Sequence, residues 1–272
     1  MSGDPLQPSA SPRGYDLEVR HLTDRAVRMG EWALSMVHDG WRAFDVGDRE
    51  LAQRVLDRNA MLDQLDDEME HATIAFLVLR QPAAVDLRTA AGLLKITTHL
   101  DRVGRLGYDM SRITLPLTGP RESPELRSLL QQMDDTVESM VHQALEGLDH
   151  GRVDLARDLF RRDDDVDRMH RQAQHMVVAE LGRSSPATAR LANIILVARH
   201  FERIADNACK IAEKTIYALT GQRRTEYLPR RPPQLIYDGP PERVPDNPAS
   251  HEKQGRPEKT AASRERPDDT PP

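Results

Sequence analysis

Thr98-His99-Leu100-Asp101-Arg102-Val103-Gly104-Arg105 returns 101 residues further on as Arg199-His200-Phe201-Glu202-Arg203-Ile204-Ala205-Asp206. The apolar and acidic positions of the two stretches coincide. Upstream of each lies an acidic run, Asp66-Asp67-Glu68 before the first and Asp163-Asp164-Asp165-Val166-Asp167 before the second. A period of this length points to two homologous units, each carrying the repeated stretch on its last helix and the acidic run on the helix before it.

Working outward, apolar residues recur at three- and four-residue spacing through most of the chain, and strand-like alternation is almost absent. The pattern predicts an all-α protein of six helices near 16–45, 48–80, 86–113, 123–149, 152–182 and 187–221. Gly47-Asp48, Gln81-Pro82, the stretch from Pro116 to Pro124, Gly151 and Ser184-Ser185-Pro186 mark the breaks. In 48–80, Leu51, Val55, Leu62, Leu65, Met69 and Phe76 form one stripe, as expected of a helix packed on one side. The architecture that follows is two tandem three-helix bundles: residues 1–14 disordered, 15–116 the first bundle, 117–222 the second, and 223–272 a disordered tail rich in Pro and charge. Of 19 prolines, 3 lie in 1–14 and 11 in 224–272, leaving 5 in the 209 residues between. The tail holds too little apolar surface to offset the entropy of ordering it. Either an inert solubilising extension or a partner-binding segment fits it.

Composition narrows the function. The 272 residues carry 38 Lys+Arg against 44 Asp+Glu, a formal charge of −6, which disfavours broad electrostatic binding to nucleic acid. No apolar run approaches the ~18 residues of a membrane span. The single cysteine, Cys209, permits no internal disulfide, and a reducing cytosol is the expected compartment. P-loop, dinucleotide, H-E-x-x-H and G-x-S-x-G motifs are all missing.

The residues that carry chemistry are acids. Glu202 and Asp206 stand one turn apart on one helix face, within reach of one hard or borderline cation, beside a line of small side chains (Ala198, Ala205, Cys209, Ala212) that leaves room for a second helix. Asp163 and Asp167 on the preceding helix, with Asp164 and His170, are candidate facing ligands; Asp63, Asp67, Glu70 and His71 are their counterparts in the first unit. Surface salt bridges are the competing explanation, since Arg199 and Lys210 lie within a turn of the pair. In the first unit Arg105 replaces the second acid and is expected to neutralise Asp101, leaving Asp109, about 12 Å along the axis, as a substitute ligand. His99, His200 and Cys209 read more readily as helix-packing residues than as ligands.

Gln81-Pro82-Ala83-Ala84-Val85-Asp86-Leu87-Arg88, Asp101-Arg102-Val103-Gly104, and the long run from Val197 to Glu213 followed by Tyr217 and Gly221 resemble the PhoU family over about 17–221. The resemblance implies a cytoplasmic, non-enzymatic negative regulator of phosphate uptake and of the phosphate-starvation response. It implies an adaptor between a phosphate ABC transporter subunit and a PhoR-type sensor histidine kinase, reaching the membrane only through these partners and forming a homodimer. It also implies an E/D-x-x-x-D motif in each bundle that binds a metal ion or an iron or zinc cluster. Carried onto this chain, Glu202 and Asp206 complete the second motif, whereas the first has only Asp101. A metal-free structural adaptor and a carboxylate-bridged di-metal hydrolase are the alternatives; the broken first motif counts against the hydrolase.

Overall fold

The computed structural model describes residues 14–119, 121–182, 188–223 and 226. Of the disorder expected over 1–14 and 223–272, only Gly14, Arg223 and Glu226 fall among these residues, and Gly14 starts α1 instead; the break at Ser184-Ser185-Pro186 lies outside them. Every regular element described is helical: α1 (Gly14–Val46), α2 (Arg49–Asp57), α3 (Asn59–Arg80), α4 (Ala84–Thr114), α5 (Pro124–Asp149), α6 (Val153–Leu181) and α7 (Thr188–Thr220).

The six expected rods are present, the second interrupted once, at Arg58. There the chain tightens into a three-residue turn, the Arg58 N–H donating to Val55 O at 3.2 Å, while the Arg58 guanidinium pairs with Asp39 on α1 at 2.7 Å. The apolar stripe carries across the break: Leu51 and Val55 on α2 and Leu62, Met69 and Phe76 on α3 are buried. Asp48 caps α2, its side chain accepting from Leu51 N at 2.9 Å, and Ser123 caps α5 with Pro124 in the first turn, where a missing N–H costs nothing. Gln81 adopts a left-handed conformation (φ 46°) and ends α3.

α1, α2–α3 and α4 form one three-helix bundle, and α5, α6 and α7 a second. α4 packs on α7, and α1 on α5, so the bundles share one core running from Leu22 and Met29 through Leu100 and Met133 to Phe201 and Ile216. α1 and α4 meet backbone to backbone: a Cβ on Gly40 would lie 2.5 Å from Gly107 O, and one on Gly107 2.4 Å from Met36 O. Trp41 fills the junction, edge-on to Phe201 at 5.4 Å, its indole N–H donating to Gln131 at 3.0 Å. Leu219, near the end of α7, is 39% exposed.

A buried ion pair that the sequence reading did not foresee locks the far end. Arg190, at the start of α7, pairs with Glu122 ahead of α5, donates to Phe44 O at 3.1 Å and Asp45 O at 3.3 Å, and lies 4.6 Å above the Phe44 ring. The end of α1 is thereby tied to the second bundle. No helix among the described residues is long and apolar enough to cross a membrane.

Candidate functional site: two acidic faces on the repeated helices

On α7 the small-residue line is buried as expected: Ala198, Ala205, Cys209, Ala212 and Ile216 pack inward, the Cys209 thiol donating to Leu159 O at 3.7 Å. Cys209 thus acts as a small core residue. Glu202 sits where this line meets the surface, and its half-buried carboxylate has two unlike oxygens. Oε1 accepts from Arg199 at 3.0 Å; Oε2 is buried without a hydrogen-bond partner.

Burial pushes the Glu202 carboxyl up to about 7 from 4.5. Arg199 opposes that rise, while Asp206 on the same helix and Asp167 and Asp163 on α6 add to it. The four acids singled out in the second unit therefore share one electrostatic neighbourhood where α6 meets α7. Asp163 is buried, Asp167 half-buried and Asp206 exposed. A cation placed at the unpartnered Glu202 Oε2 would meet a carboxylate oxygen that has no hydrogen bond and would offset the rise its acidic neighbours cause. Hard and borderline divalent ions fit this all-carboxylate donor set; soft ions do not.

The first unit repeats the layout with a different outcome. Asp66 on α3, 101 residues before Asp167, is shifted upward by burial and then by Asp101, Glu70 and Asp67, with Arg105 opposing. Asp101 buries Oδ1 without a hydrogen-bond partner, the counterpart of Glu202 Oε2. Here Arg105 occupies the space of a cation. Its Nε donates to Asp101 Oδ2 at 2.9 Å and a terminal N–H to Asp63 Oδ1 at 2.7 Å. The i, i+4 neutralisation expected from spacing is thus present, and it extends to α3. Asp109 is not drawn to Asp101: it faces Arg112 at 3.8 Å and is close enough to act on His200.

The paired histidines belong to the α4–α7 contact. His99 Nδ1 lies 3.0 Å from the side-chain oxygen of Asn207, a polar contact between the two repeated helices. The residue equivalent to Asn207 in the first repeat is Leu106, which offers no hydrogen bond, and His200 Nδ1 is buried unpaired. Burial lowers the affinity of both rings for a proton.

A further group was not foreseen: His38 on α1 with Asp134 and Glu138 on α5, which offer one ligand atom each within 4.8 Å of one another. Among the described residues the acids around Glu202 do not converge so tightly. The only sequence signal was the four-residue spacing of Asp134 and Glu138.

Comparison with known proteins fits this geometry. The PhoU domain model matches twice, over residues 26–114 and 130–215, one match per bundle. A phosphate-specific transport system accessory protein PhoU homolog from Caulobacter vibrioides is 32% identical over 219 residues, covering 80% of this chain and 95% of its own length. A homolog of the same description from Clostridium acetobutylicum is 25% identical over 209 residues, covering 76% and 95%. The crystal structure of PhoU from Pseudomonas aeruginosa superposes with a TM-score of 0.72 at 29% identity, covering 76% of this chain and all of that one. Two bundles repeating at 101 residues, an acidic face at the same place in each, and a domain match along both make this chain a member of the PhoU family.

Proposed function

We propose that this protein regulates phosphate transport as an accessory protein of the phosphate-specific transport system and holds the phosphate-starvation response off when phosphate is plentiful. The observation that carries the reading is the double PhoU match, which spans both bundles and both acidic faces. The chain is a regulatory accessory protein and not an enzyme. Its chemistry is recognition: long helical faces suit contacts with a transporter subunit and a PhoR-type sensor histidine kinase. It works in the cytoplasm, at the membrane through those partners, as a homodimer.

The second-repeat face is the metal-responsive part of this reading. Glu202 and Asp206, with Asp163 and Asp167 opposite, would hold a divalent ion or an iron or zinc cluster, which would neutralise the face and bias the contacts α6 and α7 make. Asp101 is the weaker counterpart, because Arg105 already supplies a fixed positive charge there and the substitute expected of it, Asp109, faces Arg112 instead. A metal-free adaptor is favoured by one observation, the Arg199–Glu202 pair, which partly neutralises the second face as well.

Deleting the gene and following an alkaline-phosphatase-type reporter at high phosphate tests the regulatory role. Derepression is expected; a silent reporter in a strain without a second copy of the gene contradicts it.

A further inference from the structure

We propose that His38, Asp134 and Glu138 form a second, separate metal site, selective for a borderline first-row divalent ion such as Zn2+, that staples α1 of the first bundle to α5 of the second.

The geometry comes first. Asp134 and Glu138 lie one turn apart on α5, and α1 brings His38 opposite them, with Nδ1 3.7 Å from Glu138 Oε2. One ligand atom from each of the three lies within 4.8 Å of the others, so a modest inward shift of side chains reaches the ~2.0–2.2 Å of zinc–nitrogen and zinc–oxygen bonds. Asp134 is only 2% exposed, and its Oδ1 has no hydrogen-bond partner. Its Oδ2 has only a long contact, 3.4 Å, from Gln131 Nε2, which gives its shorter bond, 2.9 Å, to Asp135. His38 Nδ1 is likewise buried with no hydrogen-bond partner. A buried, underbonded carboxylate turned toward an underbonded imidazole nitrogen and a second carboxylate is costly in the apo protein, and one cation satisfies all three.

The donors set the class of ion. An imidazole nitrogen with two carboxylates excludes soft ions, which need thiolates, and favours zinc-like ions over Mg2+ and Ca2+, which prefer all-oxygen shells. Three protein ligands leave one position of a tetrahedron open. His142, one turn beyond Glu138, lies with Nε2 4.0 Å from Glu138 Oε1, the oxygen that does not face His38. Trp41 and Gln131 back the site from α1 and α5 through their 3.0 Å hydrogen bond, tying it to the junction between the bundles. The site is remote in sequence from the α6–α7 acids and uses none of them.

Calorimetric titration of Zn2+ into full-length, tag-free, chelator-stripped protein tests the proposal in the Glu202→Ala/Asp206→Ala background, which removes the second-repeat acids. One Zn2+ per chain is expected to bind in that background and to raise Tm. His38→Gln and Asp134→Asn should each weaken binding beyond the about 10–100-fold typical of losing a supporting residue, with unchanged helical circular dichroism. Asp134→Asn should also leave the zinc-free protein at least as stable, which separates ligand loss from misfolding. Zinc affinity and stoichiometry that survive both substitutions, or a parent that binds no zinc at micromolar concentration, would overturn the proposal.

Discussion

Two carboxylates are held far from their ordinary state, and each makes a pH-dependent contribution of known sign. Burial, with Glu138 and Asp135 beside it and only Gln131 opposing, pushes Asp134 up to about 8 from 3.8. His38 faces it from α1, and Glu202 is pushed up to about 7. An acid whose folded value exceeds its unfolded one favours folding below the unfolded value and loses that contribution as pH climbs through the folded one. In chelator, Tm is therefore expected to fall between about pH 4 and 8, the span of the two shifts. Asp134→Asn should flatten most of that fall, a difference on the order of 3–5 kcal/mol at the alkaline end. Parallel Tm–pH curves for the two proteins would contradict this. Glu202 and Asp206 were legible in the sequence as a pair because both stand on one helix, one turn apart. His38 was not, because its partners lie almost a hundred residues away and only the packing of α1 on α5 joins them.

The elements follow from periodicity, and their junctions do not. The stripe from Leu51 to Phe76 reads as one helix because Arg58 and Asn59 are tolerated within helices and no Gly or Pro marks the turn. What breaks the rod is tertiary: Arg58 is held by Asp39 on another helix. Gly40 and Gly107 were equally silent, since glycine within a helical pattern has no single meaning; here it lets α1 and α4 touch. Gly107→Ala is expected to cost about 3 kcal/mol, the upper end for overpacking, because the atoms in the way are backbone and cannot turn aside. Urea denaturation gives the value, and a gain in stability like that of Gly→Ala in an exposed helix would refute the close crossing. The Arg190–Glu122 pair carries a similar expectation. Glu122→Gln leaves a buried guanidinium uncompensated and should cost about 3–5 kcal/mol. A pair of apolar residues replacing both should recover most of it, and a larger loss in that double variant would mean the pair is stabilising in its own right.

At the scale of the whole molecule, two homologous bundles share one core but differ in charge at equivalent places. The repeat, the helical class and the family were legible because they rest on residue identity at a fixed period. The asymmetry was legible from one residue, Arg105, and its guanidinium bridges Asp101 and Asp63. Arg105→Asp is therefore expected to add metal at the first face, read as a rise in bound ions per chain by elemental analysis; unchanged content would mean that Arg105 is not what bars a cation there.

The proposed function makes the acidic face of the second repeat the metal-responsive part of regulation, and the direct measurement is the phosphate-starvation reporter at high phosphate in a strain carrying Glu202→Ala/Asp206→Ala at the native locus, with protein level followed by immunoblot. Derepression approaching that of the deletion strain, at wild-type protein abundance, is the predicted result. Full repression at that abundance would contradict it.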